Sequence, residues 1–180
     1  MSKTAIFKGG KRPVGEDYIQ TPESAILPIR KYIPDNVKTI WEPTAGGGAI
    51  SKHLKEWGYT VVETDLYPKK DNPVPELDFL TGTPPSGIDM IIFNPPFSLK
   101  TEFLRRVCEL GLPFMFICPI TIMESEKRVT LFRDHHLSVL NLPKRTNYIN
   151  AKNEGLGGTA FFHSVWVCNL PDYQDRILYV

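Results

Sequence analysis

Asn94, Pro95, Pro96 and Phe97 end an aliphatic run, Ile88 to Phe93, with an amide, two rigid imino acids and an aromatic ring. An asparagine side-chain oxygen and the backbone carbonyl of Pro95 supply two acceptors that can converge on a planar NH2 group. The prolines fix the backbone and remove N–H groups that would compete for those acceptors. Phe97 offers a face on which a flat base can stack. The plainer alternative is a turn that asparagine begins and proline continues.

Two further strand ends carry polar chemistry. In "EPTAGGG", Glu42, Pro43 and Thr44 precede Gly46, Gly47 and Gly48, which lead into an amphipathic stretch. Glycines there allow a tight turn and close approach to a ligand, and the N–H groups opening a helix favour a carboxylate or other anion. A dinucleotide fingerprint would place a third glycine at position 51, where this chain has Ser51, and no Gly-Lys-Ser/Thr run is present to hold a nucleoside triphosphate. In "TVVETDL", Glu63 and Asp65 offer carboxylates for a vicinal diol, and Asp65 stands 17 residues beyond Gly48. Which of the two points inward depends on where the strand ends, with Asp65 favoured. In "LDFLTG", Asp78 can accept from an exocyclic amine and Phe79 can lie against a purine; equally, Asp78 can cap a turn and Phe79 belong to the core.

Positioning these groups requires strands that end where the polar residues begin. Residues 37–43, 60–66, 88–93, 113–120, 137–143 and 159–170 read as strands, several with near-continuous apolarity. Such runs fit parallel strands covered on both faces. Helices are expected over 49–57, where Ile50, His53, Leu54 and Trp57 share a face and Gly58 terminates, over 98–110, and around 123–135. A shorter helix is expected in 21–33, with Thr21 as its cap, Pro22 at its first position and Pro28 interrupting it. Alternating strands and helices predict an α/β fold with a mostly parallel sheet of about seven strands and helices on both faces. Ligands in such sheets gather at the carboxyl ends of the strands.

With these residues placed, the chain resembles the S-adenosylmethionine-dependent amino-methyltransferases, above all the DNA adenine-N6 methyltransferases, which have a Rossmann-like fold. Asn94-Pro95-Pro96-Phe97 matches their catalytic motif and "EPTAGGG" looks like their cofactor loop. The resemblance implies S-adenosylmethionine as cofactor, with Glu42 near the methionine amine and Gly46 and Gly48 beneath the cofactor, Thr44 lying in the same loop. Thr21 and Pro22 would stand beside the methionine carboxylate, together with Tyr18. Asp65, or its competitor Glu63, would hold the ribose, and Asp78 and Phe79 the cofactor's adenine. The cofactor motif precedes the catalytic motif by 52 residues, Glu42 to Asn94. That gamma-type order is shared by ribosomal RNA methyltransferases and by glutamine methyltransferases of release factors. The compact length and the ending resemble small methyltransferases encoded by bacteriophages.

The resemblance implies methyl transfer to N6 of adenine in DNA. The alternatives are the same reaction on RNA, methylation of a protein glutamine at N5, and a non-catalytic nucleic-acid-binding subunit. Many DNA-specific members add a recognition domain of ~100 residues or more. Here residues 16–180 read as one catalytic domain after a basic arm over 1–15, so recognition is expected from short elements, from a homodimer or from a partner subunit. Lys144, Arg145 and Lys152 are the candidate phosphate contacts. Phe161, Phe162 or Tyr148 is the candidate for a late aromatic against the base, with core packing as the alternative for each.

Composition bounds these expectations. The 180 residues carry 21 basic and 20 acidic side chains, a net charge of +1, so any nucleic acid must be met by a local patch. Three cysteines without ligand spacing read as reduced core residues, and His53, His135, His136 and His163 lack metal-ligand partners at helical spacing. No metal is expected. No run of roughly 18 apolar residues occurs, which predicts a protein without a membrane partner in bacterial or phage-infected cytoplasm.

Overall fold

The computed structural model describes residues 19–150 and 162–180. Tyr18, Lys152, Phe161 and the basic arm lie outside the described residues. Nine strands appear: β1 (Ile19–Gln20), β2 (Thr39–Glu42), β3 (Thr60–Glu63), β4 (Met90–Phe93), β5 (Phe114–Pro119), β6 (Ser138–Asn141), β7 (Ile149–Asn150), β8 (Ser164–Asn169) and β9 (Ile177–Tyr179). Four helices join them: α1 (Glu23–Ile26), α2 (Ala49–Glu56), α3 (Lys100–Leu110) and α4 (Glu126–Asp134).

Seven of the strands form one sheet in the order β3-β2-β4-β5-β8-β6-β9. β3, β2, β4 and β5 run parallel, β8 is antiparallel to both neighbours, and β9 pairs parallel with β6. The expected mostly parallel sheet is therefore present. Its seventh strand is β9, which the hydrophobic pattern did not mark.

Strand periodicity distributes the core between two faces. Ile40, Met90, Ile92, Met115, Ile117, Leu140 and Trp166 face one layer, with Ala25, Ile26, Ile29, Ile50 and Leu54 from the α1 segment and α2. Trp41, Ile91, Phe93, Phe116, Val139 and Val167 face the other, with Phe103, Leu104 and Val107 of α3. Every residue of β4 and of β5 is buried, because both faces of these central strands are covered. Cys108, Cys118 and Cys168 are buried free thiols, and burial raises the pKa of each.

The helix ends follow local sequence. Gly58 at φ +95° and Gly111 at φ +66° stop α2 and α3 in the left-handed region. The N-terminal segment departs from expectation. Pro22 itself is the cap of α1, extended at φ −72° and ψ 153°, and the chain passes at Leu27 into a 3-10 helix reaching Tyr32. Pro28 has no N–H to continue an α-helix. Thr21 consequently caps nothing. β1 and β7 form a separate antiparallel pair, Gln20 opposite Ile149, which ties the Thr21-Pro22 element to the segment carrying Tyr148.

Candidate active site

The expected polar residues converge at the carboxyl ends of three neighbouring parallel strands. β2 ends at Glu42, β3 at Glu63 and β4 at Phe93, immediately before Asn94. Glu42 and Glu63 are register partners and share a face. Beyond β2 the chain turns through Gly46 at φ +53° and Gly48 at φ +76°, values that L side chains rarely adopt. A side-chain carbon at Gly48 would lie 3.3 Å from Asn72 Nδ2 and 3.6 Å from Glu63 Oε1. Asn72 Nδ2 also donates to the Gly46 carbonyl at 3.2 Å.

Glu42 is 2% exposed. Its Oε2 accepts from the Ser51 backbone N–H at 2.8 Å and from the Ser51 hydroxyl. Burial pushes its pKa up to about 8, with Glu63 and Asp65 adding to the rise, while the bonds from Ser51 oppose it. At neutral pH this carboxyl holds a proton, and a cationic group set beside it would draw it into ionisation. Position 51, read from sequence only as a missing glycine, is thus the residue that holds Glu42. The available signal was a small polar residue on the buried side of α2.

The two acids at the end of β3 and just beyond it have different partners. Asp65 Oδ2 accepts from Gly46 N–H at 2.9 Å and Oδ1 from Tyr67 N–H at 2.7 Å, so Asp65 fastens the glycine loop and its own turn. Glu63 pairs with Lys55 of α2 and stands beside Gly48. Asp78 accepts from Leu80 N–H and the Thr81 hydroxyl, capping a turn. Phe79 is 3% exposed, with its ring stacked on Phe103 at 5.2 Å and tilted against Trp41 and Phe93. Turn cap and core ring describe this pair; the Phe79 ring is already covered and presents no stacking face.

At the end of β4, Pro95 and Pro96 are buried and Asn94 is half-buried. The Thr44 hydroxyl donates to the Asn94 backbone carbonyl at 3.0 Å. Glycine loop and Asn-Pro-Pro-Phe segment are thereby joined directly. Phe97 meets Tyr148 at 5.5 Å and 71° and Phe162 at 5.5 Å and 88°, edge-on in both cases. Tyr148 is 0% exposed and donates to Ser164 Oγ, so it belongs to the core as well as to this cluster. Thr21 is 3% exposed, and its hydroxyl has no hydrogen-bond partner among the described residues. Lys144 and Arg145 are exposed in the loop after β6. Among the described residues, no cluster of metal-ligating side chains occurs and no helix is long and apolar enough to cross a membrane.

The sequence matches no family model and no curated protein. Solved structures do match. A type I restriction-modification methyltransferase subunit from Streptococcus thermophilus superposes with a TM-score of 0.62 at 13% identity, over 92% of this chain and 47% of the other. The chain thus spans about half the length of that relative. The 23S rRNA methyltransferase ErmE gives 0.57 at 10% identity, over 86% and 70%. A Listeria monocytogenes protein assigned to the class I S-adenosylmethionine-dependent methyltransferases gives 0.56 at 12% identity, over 89% and 65%. The chain has the class I methyltransferase fold.

Proposed function

We propose that the protein transfers a methyl group from S-adenosylmethionine to the exocyclic amine, N6, of adenine in DNA. The observation that carries this reading is the bond from Thr44 to the Asn94 carbonyl. It couples a glycine loop flanked by buried Glu42 to an amide-bearing strand end, in a fold shared with methyltransferases.

The residues present fit the cofactor on three counts. Glu42 offers a buried carboxyl for an ammonium group, Thr21 a buried hydroxyl for a carboxylate, and Glu63 a carboxylate beside Gly48 for a diol. Glu63 is the ribose candidate we favour, because its Oε1 lies beside Gly48 while Lys55 pairs with Oε2; Asp65 instead fastens the glycine loop through Gly46. Asp78 keeps acceptor capacity for an amine, since each carboxylate oxygen can accept more than one bond. When bound, the cofactor supplies an electrophilic methyl group on a sulfonium.

The chain's own residues prepare the acceptor. Asn94 Oδ1 and the Pro95 carbonyl accept the two hydrogens of the target amine, which turns its lone pair out of conjugation with the ring. Thr44 and the two prolines hold these acceptors in place before substrate arrives, so the contribution is positioning and electrostatics. Asparagine takes no proton at neutral pH, and the excess proton leaves to water. Phe97, held upright by Tyr148 and Phe162, supports the base once it has left the helical stack, offsetting part of a cost of about a few kcal/mol.

The same chemistry on RNA is the second reading, favoured by the fold likeness to the 23S rRNA methyltransferase ErmE. Labelled methyl transfer from S-adenosylmethionine to duplex DNA, ribosomal RNA and release factor, run in parallel, tests the proposal. Incorporation into DNA adenine supports it, incorporation into RNA alone favours the second reading, and incorporation into protein alone overturns both.

A further inference from the structure

We infer that Lys100 is a contact for the backbone phosphate next to the target base; this rests on the nucleic-acid reading of the site and locates its anion subsite. Lys100 stands three residues beyond Phe97, and its Nζ lies 3.4 Å from the Phe97 carbonyl. The side chain is half-buried, and among the described residues no carboxylate pairs with it. The bond to Phe97 sets the ammonium at the segment following β4.

Arg128, on α4, is engaged through each of its three nitrogens. Its three nitrogens donate to the Ile122 carbonyl, the Thr101 hydroxyl and the Thr121 carbonyl, which fixes the segment after β5. Lys100, by contrast, has among the described residues one long bond to a neutral carbonyl for an ammonium with three hydrogens. As the first residue of α3 it also opposes the helix dipole. The bond keeps a cation at the backbone of Phe97, the residue on which a base would stack, where the phosphodiester of an extruded nucleotide would pass. Lys144 and Arg145 lie in the loop leading to Tyr148 and would extend the same track outward.

The test is a double cycle on a short fluorescent single strand containing one adenine, as DNA and as RNA, with either a normal phosphate or an uncharged methylphosphonate beside that adenine. For the wild type, the methylphosphonate is expected to weaken binding about tenfold at low salt. Lys100→Ala is expected to lose the same factor on the normal strand and nothing more on the modified one, with Lys100→Arg restoring most of it. The salt dependence of Lys100→Ala binding should fall by about 0.7. Additive losses, or no binding of either strand, overturn the inference. Methyl transfer is scored separately. Coupling without transfer keeps the subsite and sinks the methyltransferase reading, whereas transfer with additive losses does the reverse. A melting temperature close to wild type for each variant ensures that a binding loss is not unfolding.

Discussion

Glu42 gathers the energetic tension of the site at one residue. Its folded pKa, raised from 4.5 to about 8, means that its contribution to stability is fully present below pH 4.5 and is lost as pH climbs through 8. Unfolding followed over that range should show stability falling with pH, and Glu42→Gln should flatten the trend. Ligand binding reverses the bias. An ammonium group brought to Glu42 lowers its pKa, so cofactor binding at pH 7 should release protons, measurable as a buffer-dependent calorimetric enthalpy that Glu42→Gln removes. For the ribose, Glu63→Gln should weaken cofactor binding, while Asp65→Asn should act by loosening the glycine loop and lower thermal stability too. The different partners of these two acids were not legible in sequence. Both sit at a strand end, and only the bonds from Gly46 and Tyr67 to Asp65 separate them.

The elements carry the coupling between the two halves of the site. Thr44→Val removes the hydroxyl that fastens the glycine loop to the Asn94 carbonyl. It should cost about 1 kcal/mol of stability and lower turnover more than cofactor affinity, which single-turnover kinetics beside calorimetry can read. Most elements that position the site could be read from sequence. α2 follows from the spacing of Ile50 and Leu54 and the stop at Gly58, and β4 and β5 from apolar runs that only doubly covered strands sustain. What escaped was non-local or short. The pairing of Ile19 and Gln20 with Ile149 and Asn150 links segments far apart in the chain, and β9 has an exposed Ile177 and Tyr179 where a pattern would need a buried face. Phe79 shows a different limit. A phenylalanine beside a candidate site has the same signature whether it meets a ligand or, as here, Trp41, Phe93 and Phe103.

At the scale of the molecule, the cofactor would touch the ends of the paired strands β2 and β3 and also the segment before α1. Saturation at about a hundredfold over Kd should stabilise the fold by ~2.7 kcal/mol, raising Tm by roughly 5–10 °C. S-adenosylhomocysteine, which keeps the amine, carboxylate and ribose, should do the same. The chain covers 47% of the restriction-modification subunit it resembles in fold. The most direct test of the central claim is nucleoside mass spectrometry of DNA and RNA treated with the protein and S-adenosylmethionine, with Asn94→Ala beside the wild type. N6-Methyladenine is expected in DNA from the wild type and none from Asn94→Ala, which should still bind cofactor. A methyl group on a carbon or ring nitrogen, or undiminished transfer by Asn94→Ala, would contradict that claim.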